Sequence, residues 1–203
     1  MIVLGGNNMN FKTTHLFVLA SASPRRKELF GLLNVPFDIV TSDVEETSVT
    51  AQNVQQYVTE VALLKTRDVA KKCPNKIVIG ADTIVAYNDT LLHKPKSKEE
   101  AIQHLQTLSN DTHVVLTAVA ILAPNGQEFT FVEETKVVFK DVPQQLIEAY
   151  VDSGDPFDKA GGYGIQTDGV FFVDRIEGDY NNVVGLPIAS LVENLLSLRY
   201  ISI

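Results

Sequence analysis

The sequence predicts an α/β fold, a mixed sheet with helices on both faces. Three observations point there. Short apolar strands alternate with helix-length amphipathic segments through the first half of the chain. Two β-branched runs flank a Pro124-Asn125-Gly126 turn in the second half, and Ile77 to Ala86 is apolar on both faces, as a central strand covered on two sides must be. With 203 residues, 45% of them apolar, the chain has the size of one domain with a sizeable core.

The elements follow in order. Leu16 to Ala20 reads as a strand, and Ser23-Pro24 as the N-cap and first residue of a helix with Leu29, Leu32 and Leu33 inward. Phe37 to Thr41 reads as a second strand, leading to the acidic loop Asp43-Val44-Glu45-Glu46. From about Gln52 to Lys72, Val54, Val58, Val61, Ala62 and Leu64 roughly follow helical spacing. Beyond the central strand, Asn88-Asp89 turns the chain, and the capping box Ser97-Lys98-Glu99-Glu100 opens a helix to about Leu108 with Ile102 and Leu105 inward. Val114 to Leu122 and Phe129 to Phe139 form a hairpin. A helix from Pro143 to Ser153, a glycine-rich loop at Ala160 to Gly164, a strand near Val170 to Ile176 and a helix after Pro187 complete the chain.

Composition excludes several functions. The net charge of −8 opposes sequence-independent nucleic-acid binding, which needs a basic face. A single cysteine, Cys73, allows neither an intramolecular disulfide nor a thiolate zinc cage, and fits a reducing cytoplasm. No apolar run approaches the roughly 20 residues that span a bilayer. The stretch through His15 lacks the features of a signal peptide, so residues 1–14 read as an extension to a single two-lobed domain over 15–203. His15, His93, His104 and His113 show no metal-ligand spacing, and neither a Walker A loop nor a nucleophile elbow occurs.

Chemistry is suggested at four places. Arg25-Arg26-Lys27 occupy the first turn of the first helix, where the helix dipole disfavours cations by roughly 0.3 to 1 kcal/mol each. With Ser21 and Ser23 and the free N–H groups of the helix start, they form either a phosphate site or a solvated basic turn. Asp82 lies inside the apolar strand, where a lone carboxylate would cost several kcal/mol. Either a lysine such as Lys65 pairs with it, or it joins Glu45 and Glu46 in a magnesium site shared with substrate phosphates. Lys94 before Pro95 is a positioned ammonium or a plain turn lysine. Ala160-Gly161-Gly162-Tyr163-Gly164 offers backbone that a ligand can approach closely, with Gln166 able to read a base edge, or is simply a turn.

Taken in order, LASASPRRKEL, DVEET, IGADTIV, KP, DKAGGYGIQ and VVGLP resemble the Maf family of nucleotide pyrophosphatases from about Leu16 to Leu196. The resemblance implies an elongated fold similar to inosine triphosphatase with a central cleft, and hydrolysis between the α and β phosphates. It places Ser21, Arg26, Glu46, Lys65, Asp82 and Lys94 in that cleft. Asp82 looks like the proton acceptor, and magnesium or manganese, held by Glu46 and Asp82, like the cofactor. Arg25, Thr83 and Gln166 look like the substrate discriminators, in the combination of the branch acting on dTTP and UTP rather than on 7-methyl-GTP. His93 stands where the resemblance leads one to expect glycine before Lys-Pro, a substitution able to crowd that loop. Two rivals stay open: a purine triphosphate pyrophosphatase of the inosine triphosphatase kind, and a nucleotide-binding division regulator without turnover, in keeping with the family's link to division arrest. The oligomeric state is open too, a homodimer among the arrangements allowed.

Overall fold

The computed structural model describes residues 10–45, 49–88 and 90–203. Strand β1 (Phe17–Leu19) leads through α1 (Pro24–Gly31) to β2 (Phe37–Ile39), and α2 (Val54–Lys72) then delivers β3 (Ile77–Tyr87). Both crossovers are parallel, with Phe17 opposite Phe37 on one side and Ile77 on the other. Asn88, at φ +48°, then reverses the chain into the short β4 (Thr90–Leu92), antiparallel to β3. Helix α3 (Lys98–Leu108) precedes the hairpin of β5 (Thr112–Leu122) and β6 (Glu128–Phe139). Its tip has Gly126 at φ +84°, a conformation glycine adopts without strain. Helix α4 (Gln144–Asp152), β7 (Val173–Glu177), α5 (Tyr180–Val184) and α6 (Ile188–Ser197) complete the fold.

The seven-stranded sheet has the order β2-β1-β3-β5-β6-β7, with β4 beside β3. Because β3, β5 and β6 run 11, 11 and 12 residues, each is about 36–40 Å long at roughly 3.3 Å per residue. Such strands are long enough to carry two cores end to end. At one end Phe17, Leu19, Phe30, Ile79, Val119, Ile121 and Leu191 pack beneath α1 and α6. At the other, Val85, Leu105, Leu108, Val115, Val137, Ile147 and Phe172 pack beneath α3 and α4. On the opposite face α2 lays Val58 and Ala62 over Ile84, Leu116, Ala118 and Ala120. Apolar side chains on both faces of β3 are therefore matched by helices on both faces, as its sequence predicts.

Several elements depart from the sequence reading. Leu32 is 62% exposed, because α1 stops at Gly31 and leaves Leu32 past its last turn; Phe30 takes the buried place. The buried stripe of α2 is Val58, Val61, Ala62, Leu63, Thr66 and Val69, so Val54 and Leu64 fall at its margins. The strand expected near Val170 begins at Val173, since residues 168–172 form a 3-10 turn that buries Phe172. Strand β4 and helix α5 are too short to show a period in sequence. Phe11 joins the core, and Lys12 exchanges backbone hydrogen bonds with Ser202 at 2.8 and 2.9 Å. The ordered unit thus reaches further toward the N-terminus than an extension through residue 14 implies. Among the described residues no helix is long and apolar enough to cross a membrane.

Gly80 lets β3 and α2 approach closely: a Cβ there would overlap the Thr66 hydroxyl, which is itself bonded to the Ala62 carbonyl at 2.6 Å. Gly80→Ala should therefore destabilise by about 1–3 kcal/mol through overpacking. Thermal unfolding should show a fall in Tm of several degrees, with partial recovery on adding Thr66→Ala. An unchanged Tm would mean that the sheet and helix can part at this point without cost.

Candidate active site

One edge of β3 is shared. Strand β1 pairs with Ile77 to Ile79, and β4 with Val85 to Tyr87, so among the described residues no strand covers Gly80 to Ile84 on that side. The other edge is paired with β5 without interruption from Val78 to Ala86. Asp82 and Thr83 sit in the middle of the uncovered stretch and, being neighbours on a strand, point to opposite faces. Ligands of α/β sheets settle where strands part in this way, outside their carboxyl ends.

On the α2 face, Lys65 Nζ donates to Asp82 Oδ1 at 2.7 Å, the side chains being 20% and 11% exposed. Of the two environments the sequence allows for Asp82, the lysine partner is thus present. An ion pair this far from water loses much hydration, and its attraction offsets that loss only when geometry is good. Glu46 lies outside the described residues. Glu45 is exposed, and Asp43 in the same loop accepts from Lys72 at 3.1 Å. Among the described residues, no three His, Cys, Asp or Glu side chains gather as a metal cage.

On the opposite face the start of α1 comes up to Thr83. Ser23 caps the helix and Pro24 occupies its first turn, as the sequence predicts, while the Ser23 amide donates to the buried Ser21 hydroxyl at 3.2 Å. Arg26 is held firmly. Its Nε donates to the Gly185 carbonyl at 2.7 Å, Nη2 to Thr83 Oγ1 at 2.9 Å and Nη1 to Ser21 Oγ at 3.5 Å. Behind Thr83, a chain of hydroxyls and amides crosses the sheet through Thr117 on β5 and Asn182 on α5 to Thr135 on β6. Arg25 turns instead to the far lobe, donating to Asp158 Oδ2 at 3.1 Å. The two arginines thus have separate partners rather than forking together.

The far lobe contributes the loop around Ala160 to Gly164. Lys159, 8% exposed, donates to the Asp155 carbonyl at 2.7 Å, Asp155 Oδ1 at 3.0 Å and Asp158 Oδ1 at 2.6 Å. Asp155 Oδ2 accepts from the Tyr150 hydroxyl at 2.5 Å and from Thr167 Oγ1 at 2.6 Å. Burial pulls the Asp155 pKa upward, but the hydrogen bonds from Thr167, Tyr150 and Lys159 outweigh it and hold it below the usual value. Burial, reinforced by the Asp155 acceptor, pushes the Tyr150 hydroxyl pKa up, so it stays protonated and donates. Tyr163 is buried against His113, its hydroxyl 2.7 Å from Nε2. Burial lowers the His113 pKa to about 4, so the ring is neutral near pH 7, a hydrogen-bonded core histidine. Gly161, at φ +69°, sits so close to Val85 that a Cβ would collide with it.

Two candidate residues stand apart. Lys94 and Gln166 are exposed, and among the described residues no hydrogen bond or ion pair joins them to the Asp82 or Arg26 groups. Their loops nevertheless touch, because the Gly161 amide donates to the His93 carbonyl at 3.3 Å and Gly162 packs on Pro95. The His93 ring is exposed and meets Tyr57 edge-on. Asp155, Asp158, Lys159 and Thr117 carry no sequence signal of a role except that Asp158 and Lys159 open the DKAGGYGIQ block. An open depression of about 660 Å³ beside this loop is lined by Asp155, Asp158, Lys159 and Asp168, with Lys159 paired to the first two carboxylates.

The chain is similar to known proteins over most of its length. The family model described as Maf-like protein matches residues 16–198. A dTTP/UTP pyrophosphatase of a Geobacillus species is 49% identical over 90% of this chain and 98% of its own length. One from Bacillus cereus is 51% identical over 88% of this chain and 93% of its own. Among solved structures, the Ham1 protein of Staphylococcus aureus aligns at TM-score 0.54 and 17% identity over 91% of this chain and 99% of its own. A HAM1 protein from Coxiella burnetii aligns at TM-score 0.55 and 16% identity over 91% and 100%. These last two speak to the fold alone, a mixed α/β sheet with helices around it shared with the Ham1 proteins, in line with the α/β fold class read from the sequence. With a family model spanning nearly the whole chain and relatives half identical to it, the chain belongs to the Maf family.

Proposed function

We propose that this chain is a nucleoside triphosphate pyrophosphatase that hydrolyses dTTP and UTP to the monophosphate and pyrophosphate. The observation that carries the reading is the ion pair of Lys65 and Asp82 at 2.7 Å, on the stretch of β3 that, among the described residues, has one edge open between β1 and β4. The choice of substrate is supported by the relatives, half identical over most of the chain, that bear this name. The net charge of −8 leaves nucleic acid out of the reading, and the lone cysteine favours the cytoplasm.

Arg26 and the start of α1 meet the phosphate oxygens. Because the Gly185 carbonyl and Thr83 already orient the guanidinium, little ordering remains to be done when substrate arrives. Lys65 and Lys94 add positive charge, with Ser21 beside Arg26 as a further donor. Asp82 accepts a proton from the attacking water, whose oxygen bonds to the α phosphorus. The bond from that phosphorus to the α–β bridging oxygen breaks, and its electron pair leaves with pyrophosphate. Arg25, Thr83 and Gln166 discriminate among substrates.

A divalent cation, magnesium or manganese, belongs to the reading. The donor chemistry fits, since Asp82 presents a hard carboxylate and magnesium is commonly held by one or two carboxylates plus substrate phosphates. Glu46 is the second carboxylate of the reading. Bound there, the ion neutralises charge gathering on the phosphate oxygens.

Asp82→Asn tests the centre of this reading. The substitution removes the carboxylate charge that faces the Lys65 ammonium, so some loss of Tm accompanies it, contrary to what a buried carboxylate without a partner would predict. Measured well below that Tm, kcat for UTP should fall by at least about a hundredfold, the typical worth of general-base assistance being about 10² to 10⁴. A folded variant within a few-fold of the parent rate would sink Asp82 as the base.

Substrate choice is checked by a pyrophosphate-release panel in magnesium. dTTP and UTP should exceed ATP, GTP and ITP in kcat/KM, by factors up to roughly 10⁴ where buried polar groups read the base. Chelator should abolish turnover. Equal constants for ITP and UTP would favour a purine enzyme, and turnover in excess chelator would end the metal model.

A further inference from the structure

The hydroxyl of Thr83 has its proton committed away from the cleft. Thr117 Oγ1 lies 3.0 Å from the Asn182 carbonyl, an acceptor only, so the single Thr117 proton goes there. In the 2.9 Å contact between the two threonine hydroxyls, Thr117 must then accept and Thr83 donate. Arg26 Nη2, a donor only, approaches Thr83 Oγ1 at 2.9 Å and takes one of its lone pairs. The Gly185 carbonyl, 3.4 Å away, is a weaker rival for the Thr83 proton than Thr117. Thr83 is therefore left with acceptor capacity and no proton to offer.

The far end of the chain is equally fixed. Thr117 and Asn182 are fully buried. Asn182 Nδ2 donates to the Val115 carbonyl at 3.0 Å and to Thr135 Oγ1 at 2.9 Å, and the Asp179 amide donates to Thr135 Oγ1 at 3.0 Å. Thr135 in turn donates to the Asp179 carbonyl at 3.1 Å. Helix α5 is thereby tied to β5 and β6, so the carbonyl that takes the Thr117 proton cannot move away without breaking several buried bonds. Thr83 and Thr117 are directly opposite in the β3–β5 ladder, which keeps their side chains adjacent on one face.

We infer that Thr117 is a positioning residue for substrate choice: through the Asn182 carbonyl it makes Thr83 a hydrogen-bond acceptor only, selecting a base that offers a ring N–H. Uracil and thymine carry such an N–H at N3, whereas cytosine presents a lone pair there. This rests on the reading above that Thr83 faces the nucleotide and discriminates among substrates.

The test compares Thr117→Val, which keeps shape but removes the hydroxyl, with Thr117→Ser, which keeps the hydroxyl but loses a methyl. Both variants should lose Tm. Only Thr117→Val should lower the ratio of kcat/KM for UTP over CTP, by about three- to tenfold, the worth of one hydrogen bond. The change should appear mainly in KM. In a double-mutant cycle, Thr83→Val with Thr117→Val should show the same UTP/CTP ratio as Thr83→Val alone, because the second residue acts through the first. An unchanged ratio in folded Thr117→Val, an equal fall in Thr117→Ser, or additive effects would each overturn the inference while leaving the pyrophosphatase reading intact. A parent enzyme that does not prefer UTP to CTP would overturn the substrate reading and this inference with it.

Discussion

A central strand ordinarily has both edges covered, because buried backbone N–H and C=O groups need partners. In β3 one edge is divided between β1, which stops at Leu19 opposite Ile79, and β4, which starts opposite Tyr87 and ends opposite Val85. Among the described strands, the segment between them is paired from the β5 side, where pairing is continuous. That division makes room for a ligand in the middle of a sheet. It also separates the two lobes, since β1 and α1 belong to one core and β4 and α3 to the other. The rest of the site follows from what stands around this opening.

Electrostatics there run against the composition of the whole chain. A protein of net charge −8 brings Arg26 and Lys65 onto neighbouring residues of one strand, with Arg25 next to Arg26 in the same helix turn. None is left as a bare charge: Lys65 is balanced by Asp82, Arg26 by a carbonyl and a hydroxyl, and Arg25 by Asp158. Their different partners give them different freedom. The carbonyl and hydroxyl that orient Arg26 are neutral groups, whereas the carboxylate on Lys65 must share that ammonium with any phosphate. The Arg25–Asp158 bridge is surface-exposed and worth little by itself, so it is easily exchanged for a stronger anion.

The loop that the opposite lobe presents is organised by hydrogen bonds rather than by regular structure. Between Gly154 and Phe172 the backbone makes only short 3-10 turns, and Lys159, Asp155, Tyr150 and Thr167 hold them in place with bonds of 2.5 to 3.0 Å. Buried neutral His113 and protonated Tyr163 anchor the same loop from beneath. A loop so braced presents Gln166 and the loop of Lys94 from a fixed base although neither side chain is itself tied down.

Much of this was legible in the sequence. The two-sided apolar run at Ile77 to Ala86, the Pro-Asn-Gly hairpin and the serine caps at Ser23 and Ser97 report on local geometry, and local geometry decides a strand, a turn or a helix start. A carboxylate in that run announced that Asp82 needed a partner, since burial of a lone charge is costly wherever the chain folds. Which partner it had was not legible, because Lys65 reads as a surface lysine until α2 is laid across β3. The same holds for Thr117, Gly185, Asp158 and Lys159. The partners of the first three lie 34, 159 and 133 positions away, and no period or spacing carries information over such separations, while Lys159, with partners four and one positions away, takes its place from the burial of its loop. The opening in β3, too, was decided by tertiary pairing alone: a sequence states that a strand is apolar on both faces, but only the packed sheet determines how much of each edge its neighbours cover.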